Sequence, residues 1–271
     1  MELCVVSGRL TILGCGSSAG VPRVGMGWGA ADPTNTKNRR RRCSILIERD
    51  GSDGRTSVLV DTTPDLREQL LSADVRRLDA VLITHDHADH THGIDDLRPL
   101  VIHMQRRVPV HSDEGTSRIL HERFGYCFTT PAGSDYPPIL DDRRIDPDEL
   151  IAIDGPGGHI EALPFVMDHG RTEALGFRFG NLAYAPDVSR MPDRAIERLQ
   201  GLDILILDAL RYTPHPTHFS VSEALAFIAE VRPRRAVLTN MHTDIDFDTI
   251  TRELPDGIEP AFDGMTLPWT P

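Results

Sequence analysis

The feature that most constrains this sequence is a run of histidines and aspartates placed directly after an apolar segment. Residues 78–84 (LDAVLIT) are almost continuously apolar, which is typical of a strand buried on both faces. The next six residues, 85–90, are HDHADH. Three imidazoles and two carboxylates this close together are unfavourable in a loop that has no ligand to hold. We therefore predict that this segment binds metal, in preference to a solvated polar loop.

The spacing within residues 85–90 predicts two metal ions. His85 and His87 are two residues apart in an extended segment, so their side chains point to the same side and can bind one ion. Asp89 and His90 follow where the chain enters a helix, and they can reach a second ion on the other side.

The second half of the sequence repeats the pattern of the first. A strand at residues 57–61, a helix and a strand at 78–85 have a counterpart in residues 181–187, a helix and residues 202–208. The repeat predicts two similar β-α-β layers packed face to face, with their functional loops along one shared edge. Because no low-complexity linker separates the halves, we predict a single domain over residues 1–271.

Capping residues mark two of the helices. Thr63 fits an N-cap with Pro64 at the first helical position, and Ser220 with Glu223 forms a capping box before an apolar helical stripe. Residues 131–150 carry four prolines and many aspartates, which predicts a surface excursion. Further strands are predicted at residues 9–13, 44–48, 161–166 and 235–239.

Composition limits the partners and the compartment. The formal net charge of -12 disfavours polyanionic partners such as nucleic acids, although a metal pair can attract a small phosphorylated substrate locally. The N-terminus lacks the features of a signal peptide, and no stretch is apolar enough for a membrane helix. The cysteines are too scattered for a disulfide framework, so we expect a reducing, cytoplasmic compartment. They are Cys4, Cys15, Cys43 and Cys127.

The motif H-x-H-x-D-H at the end of a buried strand resembles the signature of the metallo-β-lactamase superfamily. The resemblance implies an α/β fold, a four-layer αββα sandwich of two mixed sheets face to face with helices outside. It also implies that His169 joins the first metal and that Asp187 bridges both metals. His242 is the candidate for the final ligand, although relatives place that ligand directly after a Leu-Thr pair, where this chain has Asn240.

The opening segment, residues 10–22 (LTILGCGSSAGVP), resembles the phosphodiesterase branch of that superfamily. Within the branch the chain is similar to phosphoribosyl 1,2-cyclic phosphate phosphodiesterases, through His218 and residues 262–265 (FDGM), and more distantly to ribonuclease Z. The resemblance implies hydrolysis of a small phosphodiester or cyclic nucleotide or ribose phosphate by a hydroxide bridging two divalent ions, Zn or Mn. We group His218 and Asp89 as catalytic, with His218 protonating the leaving group or binding phosphate.

Two further residues are candidates with supporting roles. Asp61 ends a strand beside the motif and can orient a ligand imidazole through its second nitrogen. Arg41 lies in the basic run 39–42, which we interpret chiefly as a solvated face or structural ion pairs. Phosphate binding by Arg41 is the alternative, because a guanidinium matches phosphate geometry.

Three alternative functions remain open at this point. An RNA-processing nuclease like ribonuclease Z is disfavoured by the acidic surface. A thioester or lactam hydrolase on the same scaffold is disfavoured by His218 and by the phosphodiesterase-like opening. A protein that binds a nucleotide or metabolite without turnover belongs to another class. We expect a small phosphorylated partner such as a nucleotide and no membrane partner, find no strong nucleic-acid signal, and leave a homodimer open.

Overall fold

The computed structural model describes residues 7–270, which form fourteen strands and seven α-helices, numbered here in chain order. The strands are β1 (Ser7–Gly14), β2 (Ser44–Gly51), β3 (Gly54–Val60), β4 (Ala80–Leu82), β5 (Val108–Ser112), β6 (Leu140–Arg144), β7 (Ile151–Ile153), β8 (Ile160–His169), β9 (Thr172–Phe179), β10 (Leu182–Ala185), β11 (Ile204–Asp208), β12 (Arg235–Thr239), β13 (Ile258–Pro260) and β14 (Thr266–Trp269). The helices are α1 (Leu66–Ser72), α2 (Ala88–Thr91), α3 (Arg98–Met104), α4 (Glu114–Phe128), α5 (Asp193–Arg198), α6 (Val221–Val231) and α7 (Phe247–Glu253).

The strands form two seven-stranded mixed sheets of matching design. The first has the order β14-β1-β2-β3-β4-β5-β6 and the second has the order β13-β12-β11-β10-β9-β8-β7. In the first sheet the strands from β3 to β6 run parallel, and in the second the strands from β10 to β13 do so. The predicted α/β class with two mixed sheets is confirmed, and each half of the chain supplies most of one sheet.

Strand residues alternate between two hydrophobic clusters, and this alternation builds the layers. In β2, Ile45 and Ile47 belong to a large cluster that includes Phe177 and Leu205 of the second sheet. Leu46, between them, belongs to a second cluster together with residues of α1 and α4. Because successive side chains of a strand point to opposite faces, the first sheet packs against the second sheet on one face and against helices on the other.

The parallel strands bring their carboxyl ends to one edge where the two sheets meet. Val60 pairs with Leu82 in the first sheet, and Leu207 pairs with Leu238 in the second. Two backbone hydrogen bonds join the sheets there, from Leu175 N–H to Thr84 O (2.8 Å) and from Met241 N–H to Cys15 O (2.9 Å). The segments that follow β3, β4, β10, β11 and β12 therefore converge, as the internal repeat predicts.

The predictions for individual helices and loops are confirmed in part. The capping box of Ser220 and Glu223 is present at the start of α6. Helix α1 begins at Leu66, two residues later than predicted, because the Thr63 hydroxyl accepts a hydrogen bond from Asp65 N–H and thereby forms a turn before the helix. The predicted excursion 131–150 is mostly exposed, but β6 within it pairs with β5 and adds an edge strand.

Some predictions fall partly outside the described residues. Residues 1–6 and 271 are not described, so Cys4 lies outside the structure and the single domain over residues 1–271 stays a prediction. Cys15, Cys43 and Cys127 are buried and unpaired. Within residues 7–270, no helix has the length and apolar character needed to cross a bilayer.

The core between the sheets makes a stability prediction. Phe177 is fully buried in the cluster shared by both sheets, whereas Tyr136 is 78% exposed. We expect Phe177→Ala to lower the free energy of unfolding by about 3–5 kcal/mol, because it leaves a cavity in a packed interior. Tyr136→Ala, the matched control, should change it by less than about 0.5 kcal/mol. Urea unfolding of both variants checks this, and equal losses would contradict the assigned core.

Candidate metal centre

The ends of three strands and one short helix position the polar side chains of the candidate site. His85 and His87 follow β4, and His90 lies in the first turn of α2, which begins at Ala88. His169 is the last residue of β8, and Asp187 lies two residues beyond β10. The side chains of His85, His90, His169 and Asp187 are all nearly inaccessible to solvent. The structure thus brings together residues that are far apart in the chain.

One carboxylate oxygen lies at the centre of the cluster. Asp187 Oδ2 is 3.5 Å from His90 Nε2 and 3.8 Å from both His85 Nε2 and His169 Nε2. A carboxylate in this position faces imidazoles from both predicted metal sites. Asp187 is therefore placed as the resemblance implies for a bridging ligand.

The remaining motif side chains complete two groups of donors. His87 Nδ1 lies 3.3 Å from His169 Nε2, so these two rings and His85 form one group. The second group consists of His85, His90 and Asp187, and in each group of three the donor atoms lie within 4.8 Å of one another, close enough to share one ion. Asp89 belongs to neither group, but its Oδ2 lies 3.5 Å from His90 Nε2, beside the second group.

The chemistry of these donors fits divalent cations. His85 Nε2 is buried and has no hydrogen-bond partner, although buried polar atoms are almost always paired. Burial lowers the pKa of both His85 and His169, despite the opposing effect of Asp187, so these imidazoles are neutral and present their lone pairs. Unprotonated imidazoles converging on a carboxylate are a typical ligand set for zinc and similar metals.

Asp61 fixes the orientation of one imidazole, as the sequence predicts. Its carboxylate is fully buried, and Oδ2 lies 2.7 Å from His90 Nδ1. Thr84 N–H donates to the other oxygen over 2.8 Å. Burial raises the pKa of Asp61, while His90 and Thr84 oppose that rise. With Nδ1 held in this way, His90 Nε2 faces Asp187.

His218 stands beside the cluster and is supported by a second buried carboxylate. Its ring centroid is 4.7 Å from that of His169, and its Nδ1 lies 2.8 Å from Asp208 Oδ2. Burial opposes protonation, but the carboxylates of Asp208, Asp187 and Asp89 raise the pKa of His218 to about 9. His218 is thus placed to hold a proton next to Asp187.

Sequence reasoning missed Asp208 and the role of Asn240. Asp208 is the last residue of β11 and ends the second copy of the internal repeat where His85 ends the first, so the repeat carried a signal for it. Asn240 Nδ2 donates to Asp208 Oδ1 (3.1 Å) and to Asp187 Oδ1 (3.3 Å). The Asn240 amide therefore ties together the carboxylates that serve the cluster and His218.

The structure does not bring His242 into the cluster, which corrects the expectation that it supplies the final ligand. The prediction assumed an extended chain, but Asn240 adopts the left-handed conformation (φ 61°), which turns the backbone. His242 Nδ1 instead contacts Asp244 Oδ1 at 3.1 Å, and Nε2 contacts Arg23. His242 is absent from each of the three donor groups found among residues 7–270.

Arg41 makes structural contacts, which corrects its alternative role in phosphate binding. Its Nε is 3.0 Å from Asp263 Oδ2, and its Nη1 donates to Glu68 O. Arg42 pairs with Asp65, and Arg40 is almost fully buried. The basic run is therefore structural, as its main interpretation held, and the alternative role of Arg41 is not supported.

Comparisons with known proteins place these observations in a family. Residues 56–241, more than half of the chain, match a family model described as a beta-lactamase superfamily domain. The chain is similar to an octanoyltransferase of Porphyromonas gingivalis (strain ATCC BAA-308 / W83), with 30% identity over 262 residues that cover 95% of this chain and 51% of that protein. It is also similar to a ribonuclease Z of Bradyrhizobium sp. (strain ORS 278), with 28% identity over 164 residues that cover 57% of this chain and 48% of that protein.

The chain thus spans about half the length of the curated relatives it matches. Among solved structures, it is similar to one described as a new diphosphatase from the PhnP family. That likeness has a TM-score of 0.87 and 37% identity, and it covers 97% of each chain.

The contact between Asp61 and His90 makes a prediction about metal affinity. We expect Asp61→Asn to weaken binding of one of two Zn²⁺ or Mn²⁺ ions about 10- to 100-fold, because His90 loses the charged acceptor that orients it. Competition with a chromophoric chelator measures this affinity.

Asp79→Asn provides a matched control. Asp79 is also a buried carboxylate of the first sheet, but it lies at the opposite end of β4, where it pairs with Arg77 and Arg106. This variant should lose stability and keep its metal affinity. An equal loss of affinity in both variants would contradict the role of Asp61.

Proposed function

Because the chain belongs to the metallo-β-lactamase superfamily and is a hydrolase of that fold, we propose that it hydrolyses a small phosphodiester or cyclic phosphate with divalent metal ions. The metal ions would be held by His85, His87, Asp89, His90, His169 and Asp187. The likeness to a PhnP-family diphosphatase over nearly the whole chain supports chemistry at phosphorus.

The observation that carries the proposal is the position of His218. Its donor atom belongs to one group with those of His169 and Asp187, all within 4.8 Å of one another. His218 Nδ1 contacts the buried carboxylate of Asp208. A proton donor is thereby placed against the donor cluster, which is the requirement for expelling a poor alkoxide leaving group.

Each side chain has a distinct task in this proposal. Two bound cations would lower the pKa of a water molecule and neutralise charge on the phosphate oxygens. Asp61 keeps His90 Nε2 directed at the cluster. Asp208, which contacts His218 Nδ1, favours the protonated imidazole, so that the proton on Nε2 can be donated. That nitrogen donates its proton to the departing oxygen. Asn240 restrains Asp208, so the pair of Asp208 and His218 keeps its geometry while the proton leaves.

Several finer points belong to the proposal as well. The clustered donors are imidazoles and carboxylates, which suit both Zn²⁺ and Mn²⁺. The net charge of -12 favours a small substrate, such as a nucleotide or a ribose phosphate, over a long polyanion. A cytoplasmic location and a homodimer stay predictions from the sequence.

A second candidate function is hydrolysis of RNA. The 28% identity with a ribonuclease Z over 57% of this chain favours it. The acidic surface opposes it, because binding of RNA relies on basic groups that neutralise phosphates. A third candidate function is binding of a metabolite without turnover. A protein of that kind would bind its ligand through the same residues and release no product.

The deciding experiment supplies the purified chain with Mn²⁺ or Zn²⁺ and compares bis-p-nitrophenyl phosphate, nucleoside cyclic phosphates, a short RNA and an octanoyl thioester. Chelator-sensitive turnover of the small phosphodiesters is expected. Faster cleavage of RNA would favour the nuclease. Turnover of the thioester alone, or binding of nucleotide without any product, would overturn the proposal.

Two substitutions separate metal binding from proton donation. Asp187→Ala should abolish turnover and release metal, because the central carboxylate is lost. His218→Ala should reduce kcat about 10²- to 10⁴-fold and retain both metals, as expected for loss of a general acid. His159→Ala, which removes an imidazole that is 57% exposed, is the control and should change neither quantity. Metal content by mass spectrometry checks the assignment, and loss of metal from His218→Ala would refute it.

A further inference from the structure

The loop after β1 places an arginine next to the candidate metal centre. Arg23 is half-buried and lines a cleft of about 460 Å³ whose wall includes Ala88 and Asp89 of the motif. The same loop exposes Val24 fully and Met26 to 73%. A substituent on a phosphodiester held at the cluster can extend over Asp89 into this cleft.

Arg23 is held in place by the histidine that does not join the cluster. Arg23 Nη1 donates to His242 Nε2, while His242 Nδ1 lies 3.1 Å from Asp244 Oδ1. Because the carboxylate can only accept, Nδ1 carries the hydrogen and Nε2 offers a lone pair to the guanidinium. The backbone of His242 is itself fixed, since its N–H donates to Leu210 O over 2.8 Å.

Among residues 7–270, Arg23 forms no direct salt bridge with a carboxylate, and its side-chain contact is His242. The nearby arginines differ, since Arg41 pairs with Asp263 and Arg42 pairs with Asp65. A guanidinium has five N–H donors in a planar fork, and His242 uses one of them. The rest of the fork is available to an oxyanion, for which its geometry is well suited.

We propose that Arg23 is a specificity-determining residue that binds an anionic group of the substrate, outside the phosphodiester that is hydrolysed. His242 and Asp244 are positioning residues that hold the guanidinium in the cleft. The inference rests on the proposed function for the identity of the reacting group. The anionic group is a phosphate or a carboxylate, because both present the paired oxygens that the fork of Arg23 recognises.

The test compares nucleoside 2′,3′-cyclic phosphates that differ only at the 5′ position, with a hydroxyl, a phosphate or a carboxylate. The wild-type chain should prefer an anionic substrate, and the preferred anion identifies the group. In Arg23→Gln, the ratio of kcat/KM for that substrate to kcat/KM for the 5′-hydroxyl compound should fall about 10- to 100-fold, mainly through KM. Arg23→Lys should keep part of the preference, because the charge stays but the fork is lost.

A matched control and a conservative variant sharpen the result. Arg234→Gln is the matched control, because Arg234 is 84% exposed and precedes β12, whereas the candidate metal centre lies beyond the other end of β12. This variant should leave the ratio unchanged. His242→Ala should lower the ratio and retain two metal ions per chain. His242→Gln should restore part of the ratio, because its amide oxygen can accept from Arg23. Loss of metal from His242→Ala would make it a ligand and overturn the proposal.

Failure of this inference differs from failure of the proposed function. An unchanged ratio in Arg23→Gln, with turnover intact, contradicts the inference alone. If the chain turns over none of these phosphodiesters, calorimetry with inorganic pyrophosphate and inorganic phosphate still tests Arg23. Weaker binding of either anion to Arg23→Gln than to Arg234→Gln then supports the anion site, and equal binding refutes it.

Discussion

The structure depends on one unfavourable feature, the burial of three imidazoles, those of His85, His90 and His169, around the carboxylate of Asp187. Burial penalises every charged group in this cluster, so the site is stable only when its lone pairs and its negative charge are compensated. The buried Nε2 of His85, which has no hydrogen-bond partner, fits a positive charge that accepts a nitrogen lone pair. Divalent cations satisfy both needs at once. The surrounding polar side chains, Asp61 and Asp208 above all, then act by orienting imidazoles.

The two halves of the chain support this cluster in equivalent ways. Each seven-stranded sheet contains parallel strands whose carboxyl ends lie at the shared edge, and polar residues follow those strands there. Two of these residues, Asp61 and Asn240, adopt the left-handed backbone conformation (φ 68° and 61°). Asp and Asn tolerate this conformation better than other non-glycine residues. Such backbone geometry is concentrated at functional sites, where the surrounding packing maintains it.

Much of this arrangement follows from the sequence, because its signals are local. The motif 85–90 after a buried strand, the repeat of strand, helix and strand, and the resemblance to a family predict both sheets and bring His169 and Asp187 to the motif. The sequence fails where the outcome depends on one dihedral angle or on distant packing. The assignment of His242 assumed an extended chain and missed the turn at Asn240. Arg41 was a candidate for phosphate binding, and the sequence did not reveal its actual partner. That partner, Asp263, is more than two hundred residues away along the chain. Arg23 carried no motif, and only the fold places it beside Asp89.

The order of the donors along the chain has a consequence for biosynthesis. The four motif donors follow β4 of the first sheet, whereas His169 ends β8 and Asp187 follows β10 of the second sheet. The motif donors are His85, His87, Asp89 and His90. A nascent chain that has emerged from the ribosome only up to β6 contains the three histidines of the motif but not yet Asp187. Since chains are made from the N-terminus and their segments fold in that order, a complete coordination sphere arises only after the second half has docked. Loading with metal is therefore a late event in maturation, and truncated translation products carry an incomplete site.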